Sequence, residues 1–170
     1  MPFDPTRHHR RSIRLDGYDY TQAGAYFVTI CVHDRLPMLA NIDATAHART
    51  PIGQIVARCW LALPRHFPNS ALDAWVLMPD HLHGIIILCE GAAKPAAPAA
   101  VDQPNGTRPG SLSAIIQNFK SISTRKTNRL RRAPDAPLWQ RDYYEHIARD
   151  QADLERIRRY IAANPARWRA

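Results

Sequence analysis

Cysteine is scarce in this 170-residue chain, and what there is does not organise a fold. Cys31, Cys59 and Cys89 are odd in number and widely spaced, with no C-x-x-C pair among them. That pattern serves neither a disulfide framework nor a zinc ribbon, and it fits a reducing cytoplasm. Long apolar runs are missing as well. Nothing approaches the roughly 18–20 residues of a membrane span, and the opening stretch MPFDPTRHHRRSIR lacks the apolar segment of a secretory signal. The phosphate-loop patterns G-x-x-x-x-G-K-[ST] and G-x-G-x-x-G do not occur, nor does the G-x-S-x-G of serine hydrolases, so neither chemistry has support. The last shortage is of acid: 15 Asp+Glu stand against 23 Lys+Arg, a formal charge of +8. Such an excess points to a polyanionic partner, nucleic acid first, although charge alone does not separate DNA from RNA or an acidic membrane surface.

What is present reads as one globular domain, with 45% apolar and 22% charged residues. Residues 1–24 form a basic N-terminal arm carrying Arg10, Arg11 and Arg14, and residues 25–170 form a single domain interrupted by a flexible Ala/Pro-rich loop at 91–110. Strands are expected at 25–33 (AYFVTICVH), 71–78 and 82–89, from their β-branched and aromatic content. The last two form an antiparallel hairpin across Met78-Pro79-Asp80-His81. Ile52, Ile55, Val56, Cys59, Trp60 and Leu63 recur at helical spacing behind Thr50 as N-cap and Pro51 at the first helical position. Leu112, Ile115, Ile116 and Phe119 mark a second helix, capped by Ser111 or Ser113. Leu154, Ile157 and Ile161 mark a third, expected to stop at Asn164-Pro165. A short strand falls within 138–149. The order predicts an α+β fold, a ferredoxin-like antiparallel sheet packed with helices.

Two pairs of residues suggest chemistry. His81 and His83 are two apart on a strand, so their imidazoles share one face with Cα atoms about 6–7 Å apart. Neutral imidazole is a common ligand for divalent metals, and two histidines make half a site. Surface histidines on an edge strand read the same way. Tyr160 and Asn164 are four apart on a helix and therefore neighbours. A tyrosine beside an apolar stripe is also ordinary core packing with a wet tip, and Asn164 before a proline is also an ordinary helix cap. Tyr143 and Tyr144 compete for a catalytic role, and Asp80 and Glu145 for a metal. Lys120, Arg125, Lys126, Arg129, Arg131 and Arg132 form a basic stretch with no acid between 111 and 132. With Arg10, Arg11 and Arg14 these are the candidate phosphate contacts, which give affinity rather than sequence. Tyr18, Tyr20 or Tyr143 offer stacking surfaces for unpaired bases.

Met78-Pro79-Asp80-His81-Leu82-His83-Gly84 resembles the histidine–hydrophobic–histidine (HUH) motif of single-tyrosine transposases. Trp139-Gln140-Arg141-Asp142-Tyr143-Tyr144-Glu145-His146 and Tyr160-Ile161-Ala162-Ala163-Asn164-Pro165 resemble the C-terminal signatures of one branch, the REP-associated tyrosine transposases, as does the segment RRSIRLDGYDYTQAGAYFVTI. The likeness spans roughly residues 10 to 168. It implies a metal-dependent enzyme of HUH nuclease type, using Mg²⁺ or Mn²⁺, that cleaves and joins single-stranded DNA near REP-like hairpins through a 5′-phosphotyrosyl intermediate. By the same resemblance His81, His83 and Asn164 hold the metal and Tyr160 is the nucleophile, which leaves Tyr143 and Tyr144 in structural or DNA-contacting roles. The expected setting is cytoplasmic and nucleoid-associated, with no membrane partner, as a homodimer or a monomer. Two alternatives remain open at the level of sequence: a non-catalytic ferredoxin-like nucleic-acid-binding module, and a metal-dependent hydrolase that uses water.

Overall fold

The computed structural model describes residues 19–43, 46–90 and 108–168. The arm with Arg10, Arg11 and Arg14, and Tyr18, lie outside the described residues, as does 91–107 of the Ala/Pro-rich loop. In chain order the elements are β1 (Gly24–Cys31), a 3₁₀ turn (His33–Arg35), β2 (Ala40–Ile42), β3 (His47–Arg49), α1 (Pro51–Leu61) and α2 (Leu63–His66). Then come β4 (Ser70–Leu77), β5 (His81–Leu88), α3 (Leu112–Arg131), β6 (Tyr144–Ile147) and α4 (Gln151–Arg167). Four strands make one sheet in the order β4-β5-β1-β6, and each neighbouring pair is antiparallel. β1 therefore runs parallel to β4 across β5, and β5 parallel to β6 across β1. Two β-α-β units interleave, which is the ferredoxin-like arrangement.

Strand alternation divides the sheet into two unlike faces. Tyr26, Val28 and Ile30 of β1, with Leu82, Ile86 and Leu88 of β5, join one buried cluster with Val56, Cys59 and Trp60 of α1 and Leu112, Ile115, Ile116 and Phe119 of α3. Phe27 and Ile85 face the other way, where Ile157 and Ile161 of α4 cover them in a much smaller cluster. The sheet thus lies between an α1/α3 layer and the single helix α4. Gly84 sets the close approach on the thicker side: a Cβ there would lie 2.4 Å from Trp60 Cζ2. Without a side chain the strand accepts the Trp60 indole directly, and His83 and Ile85 on either side of Gly84 project to the α4 face.

The helix starts follow from capping. Thr50 Oγ1 accepts from Gly53 N–H at 3.0 Å, Ser111 Oγ from Ala114 N–H at 3.3 Å and an Asp150 carboxylate oxygen from Asp153 N–H at 2.8 Å. Each such cap contributes about 1 kcal/mol. Two elements differ from expectation. β2 and β3 pair as a small separate hairpin, which three-residue strands announce only weakly in sequence. The terminal helix does not stop at Asn164-Pro165 but continues through Pro165 to Arg167. Pro165 sits in the last turn, so its missing N–H forfeits one bond near a frayed end, while the Asn164 side chain donates to the Tyr160 carbonyl at 3.0 Å. Among the described residues no helix is long and apolar enough to cross a membrane.

Candidate active site

His81 opens β5 immediately after a tightly held turn. Met78 N–H donates to the His81 carbonyl, Val32 N–H to the Asp80 carbonyl and Leu39 N–H to the Pro79 carbonyl, all at 2.8 Å. These bonds fix the backbone from which both imidazoles project onto the α4 face. His81 and His83 are 6% and 5% exposed, so neither is a solvated surface histidine. Their Nε2 atoms lie 3.0 Å apart. Behind them the Nδ1 atoms are engaged: that of His81 with Asp80 Oδ1 at 2.5 Å, and that of His83 with Thr29 Oγ1 at 2.8 Å. Thr29 is the cross-strand partner of His83 on β1.

Burial holds both rings in the neutral form. Desolvation lowers the His81 pKa, opposed by the Asp80 carboxylate. It lowers that of His83 to about 3, helped by His81 and by Arg35, and opposed by a hydrogen bond with Asn164. Neutral imidazoles keep a lone pair for a cation, whereas imidazolium does not.

α4 brings Tyr160 over this pair. Its ring centroid is 5.3 Å from that of His83 and 5.9 Å from that of Phe27, edge-on to both, and the side chain is 44% exposed. The helix therefore leaves the tyrosine half in solvent instead of sinking it into the core. Asn164, one turn on, sends its Nδ2 to the Tyr160 carbonyl, and its side chain also bonds His83. The structure thus gathers His81, His83, Tyr160 and Asn164 in one place.

A divalent cation fits this donor set. Two ligand nitrogens about 2.1 Å from one ion, with bonds at right angles, stand about 3 Å apart, the separation seen here. Among the described residues no three or more His, Cys, Asp and Glu side chains form a metal-binding group, so any third protein ligand to such an ion would be of another type, such as the Asn164 amide. Asp80 and Glu145, the other candidates, stand elsewhere. The Asp80 carboxylate lies behind His81, between its Nδ1 and Arg35. Glu145 pairs with Val28 across β6 and β1 and so belongs to the α1/α3 face.

Beside the pair opens a cleft of about 860 Å³. Phe27, Thr29, His83 and Tyr144 line its sheet side, and Arg156, Arg159, Tyr160 and Arg167 line it from α4. The three arginines do not stand out in the sequence, because α4 also carries acids that mask its basic face in a linear scan. Arg156 is paired with Asp153, while Arg159 and Arg167 have no ion-pair partner among the described residues. Tyr144 stands against Phe27 with ring centroids 6.2 Å apart and is largely exposed. Tyr143 belongs to the other face, packed against its core.

The basic stretch of α3 is not part of this cleft. α3 lies in the layer on the far side of the sheet, and none of Lys120, Arg125, Lys126, Arg129, Arg131 and Arg132 is among the cleft's lining residues. Lys120 has its ammonium on the carbonyls of Gln140, Arg141 and Asp142 at 2.9, 3.1 and 3.0 Å, where it fastens the approach to β6. Burial lowers its pKa to about 8. Arg131 donates to Asn128 Oδ1 at 2.5 Å and to the Ala136 carbonyl at 3.3 Å, closing the turn after α3. Arg125, Lys126, Arg129 and Arg132 are exposed. Tyr20 packs on the α1/α3-side core and against Tyr26.

No protein-family model matches the chain. A protein of Haemophilus influenzae without a characterised function is 36% identical over 165 residues, covering 95% of this chain and 91% of its own length. A second H. influenzae protein, named "Putative REP-associated tyrosine transposase", is 29% identical over 153 residues, covering 88% of this chain and 74% of its own. Among solved structures, a REP-associated tyrosine transposase bound to a REP hairpin superposes with a TM-score of 0.62 at 22% identity, over 90% of this chain and 73% of that one. With the motifs around His81 and Tyr160, these likenesses agree: this chain has the fold of the REP-associated tyrosine transposases, the family its sequence resembles.

Proposed function

We propose that this protein cleaves and rejoins single-stranded DNA beside hairpins, with Tyr160 as the nucleophile and a Mg²⁺ or Mn²⁺ ion held by His81, His83 and Asn164. The observation that carries the reading is the half-exposed Tyr160 ring, its centroid 5.3 Å from that of His83, one of two buried, neutral imidazoles. The bound ion supplies Lewis-acid polarisation of the scissile phosphate. The chain's own residues do the rest. The Tyr160 hydroxyl attacks phosphorus, the P–O3′ bond breaks, and the products are a 5′-phosphotyrosyl link and a free 3′-OH. Attack by a 3′-OH on that link reverses the step and restores the tyrosine. The bond energy is retained throughout, so no nucleotide is consumed, in keeping with a sequence that has no phosphate loop.

The cleft suits a single strand. Arg159 and Arg167 offer charge-assisted bonds to backbone phosphates, and the exposed Tyr144 ring offers a stacking surface for an unpaired base. The known family member seen with a REP hairpin supports hairpin DNA as the partner.

The test is a labelled single-stranded hairpin oligonucleotide incubated with Mg²⁺ or Mn²⁺. Cleavage with a covalent protein–DNA adduct, both lost in Tyr160→Phe, is the expected result. Cleavage that survives Tyr160→Phe would make water the nucleophile, and binding without cleavage under either metal would reduce the protein to a nucleic-acid-binding module.

A further inference from the structure

We propose that Arg35 and Asp80 are positioning residues that lock His81 in one tautomer, with Nδ1 protonated and the Nε2 lone pair turned toward His83, while His83 is left free to change tautomer. The inference rests on the metal-site reading above for its purpose, but not for its geometry.

Asp80 is 5% exposed, and both of its oxygens are engaged: Oδ1 with His81 Nδ1 at 2.5 Å and Oδ2 with Arg35 Nε at 2.8 Å. An ionised carboxylate only accepts, so the His81 nitrogen facing it must carry the proton. Arg35 keeps that carboxylate aimed at the ring. It is delivered by an unusual backbone: Asp34 and Arg35 are consecutive non-glycine residues in the left-handed region, at φ 54° and 55°. Such conformations cost of order 1–3 kcal/mol each and persist where the surroundings over-determine them. Here the turn hangs on the end of β1 and brings the guanidinium back over it, with Nη1 also on Cys31 Sγ at 2.8 Å.

His83 has a different neighbour. Thr29 Oγ1 both donates and accepts, so it satisfies either form of the His83 Nδ1. With no cation present, His83 Nε2–H donates across the 3.0 Å gap to the bare His81 Nε2, and the Thr29 hydroxyl donates to Nδ1. When both Nε2 lone pairs are needed, His83 carries its proton on Nδ1 instead of Nε2, and the Thr29 hydroxyl accepts the hydrogen bond from that Nδ1–H. One ligand is thus fixed by a carboxylate–arginine pair, and the other is made switchable by a hydroxyl. Nothing in the turn sequence His33-Asp34-Arg35 points at Asp80, 45 residues away; only the fold shows the contact.

The experiment uses the whole chain labelled with ¹⁵N at histidine, with long-range ¹H–¹⁵N spectra recorded with and without Mg²⁺, and Mg²⁺ affinity measured by calorimetry. In the wild type without Mg²⁺, His81 should appear as the Nδ1–H form and His83 as the Nε2–H form. Mg²⁺ should leave the first unchanged and convert the second. Asp80→Asn should mix the His81 tautomers and weaken Mg²⁺ binding about 10–100-fold, as loss of a partner behind a ligand does. Arg35→Ala should do the same more weakly, with Arg35→Lys partly restoring the wild-type spectrum. A His81 Nε2–H signal in the metal-free wild type would overturn the relay. So would Asp80→Asn and Arg35→Ala variants that fold and keep both the wild-type tautomers and the wild-type affinity. If the wild type binds no Mg²⁺ yet shows His81 locked as Nδ1–H, the relay stands and the metal reading falls.

Discussion

The two faces of the sheet are built on opposite plans. Against α1 and α3 the strands present Tyr26, Val28, Ile30, Leu82 and Ile86, all fully buried, and the Trp60 indole lies directly on Gly84. Against α4 the same strands present Phe27, Thr29, His81, His83 and Ile85, and a thinner cover of Ile157, Ile161 and the partly exposed Tyr160 ring closes over them. One face is a dry aromatic and aliphatic core. The other carries polar groups that are buried only because each has a partner: Asp80 for His81, Thr29 and Asn164 for His83. A single strand can serve both purposes, because β alternation sends successive residues to opposite sides. Stability and chemistry are thus separable by face, although they interleave residue by residue along β1 and β5.

That separation can be attacked from either side. The largest effect should come from Tyr160→Phe, which removes one exposed hydroxyl on the α4 face. Strand cleavage should fall by on the order of 10³-fold or more, while the free energy of unfolding in urea changes by no more than about 0.5 kcal/mol. Trp60→Ala strikes the other face. It should cost about 3–5 kcal/mol of stability, seen as a lower urea midpoint; the protein that remains folded should still form the adduct. If adduct formation were lost in fully folded Trp60→Ala protein, the faces would not be independent.

Acid offers a second probe of the α4 face in the metal-free protein. Both imidazoles are held neutral, with His83 at about 3 and His81 also below its ordinary value. In the unfolded chain they take up protons near the ordinary histidine value of about 6.5. Between those limits the unfolded state binds more protons, so stability is full above about pH 6.5 and is lost as pH falls toward 3. Urea midpoints measured down that range should decline less steeply in His83→Gln than in the wild type.

The smallest expected effect separates the basic surfaces. Arg159→Ala and Arg167→Ala, in the cleft, should each weaken single-stranded DNA binding and reduce the log–log salt slope by about 0.7 for each phosphate left without its arginine. Arg125→Ala and Lys126→Ala, on the far side of the sheet, should leave that slope unchanged. The reverse outcome would move the strand to the α3 face.

Much of this plan is legible in the sequence. Helical stripes ending in Leu63, Phe119 and Ile161 mark the three long helices, and runs of β-branched and aromatic residues mark β1, β4 and β5. Period 2 places His81 and His83 on one face, and period 3.6 places Tyr160 beside Asn164. What the chain does not disclose is which face of the sheet each helix covers, since that is decided by crossover topology and not by any local pattern. The basic run of α3 reads as a set of phosphate contacts, and nothing local in it shows that it lies on the side of the sheet away from the cleft. Lys120 reads as a phosphate contact and in the fold holds three carbonyls. Thr29 does leave a trace: in AYFVTIC it is the polar residue on the Phe27 face, at the level of His83 once β1 and β5 are paired. Arg35 leaves none, because its contact with Asp80 depends on two consecutive left-handed residues, the second of them an arginine that has no preference for that region.

The most direct measurement is peptide mapping of the trapped protein–DNA adduct by mass spectrometry, after incubation with a hairpin oligonucleotide and Mn²⁺. A 5′-phosphate linked to Tyr160, in the peptide Tyr160-Ile161-Ala162-Ala163-Asn164-Pro165-Ala166-Arg167, is the expected result. A link at Tyr144 or at any other residue, or product release with no adduct at any time point, would contradict it.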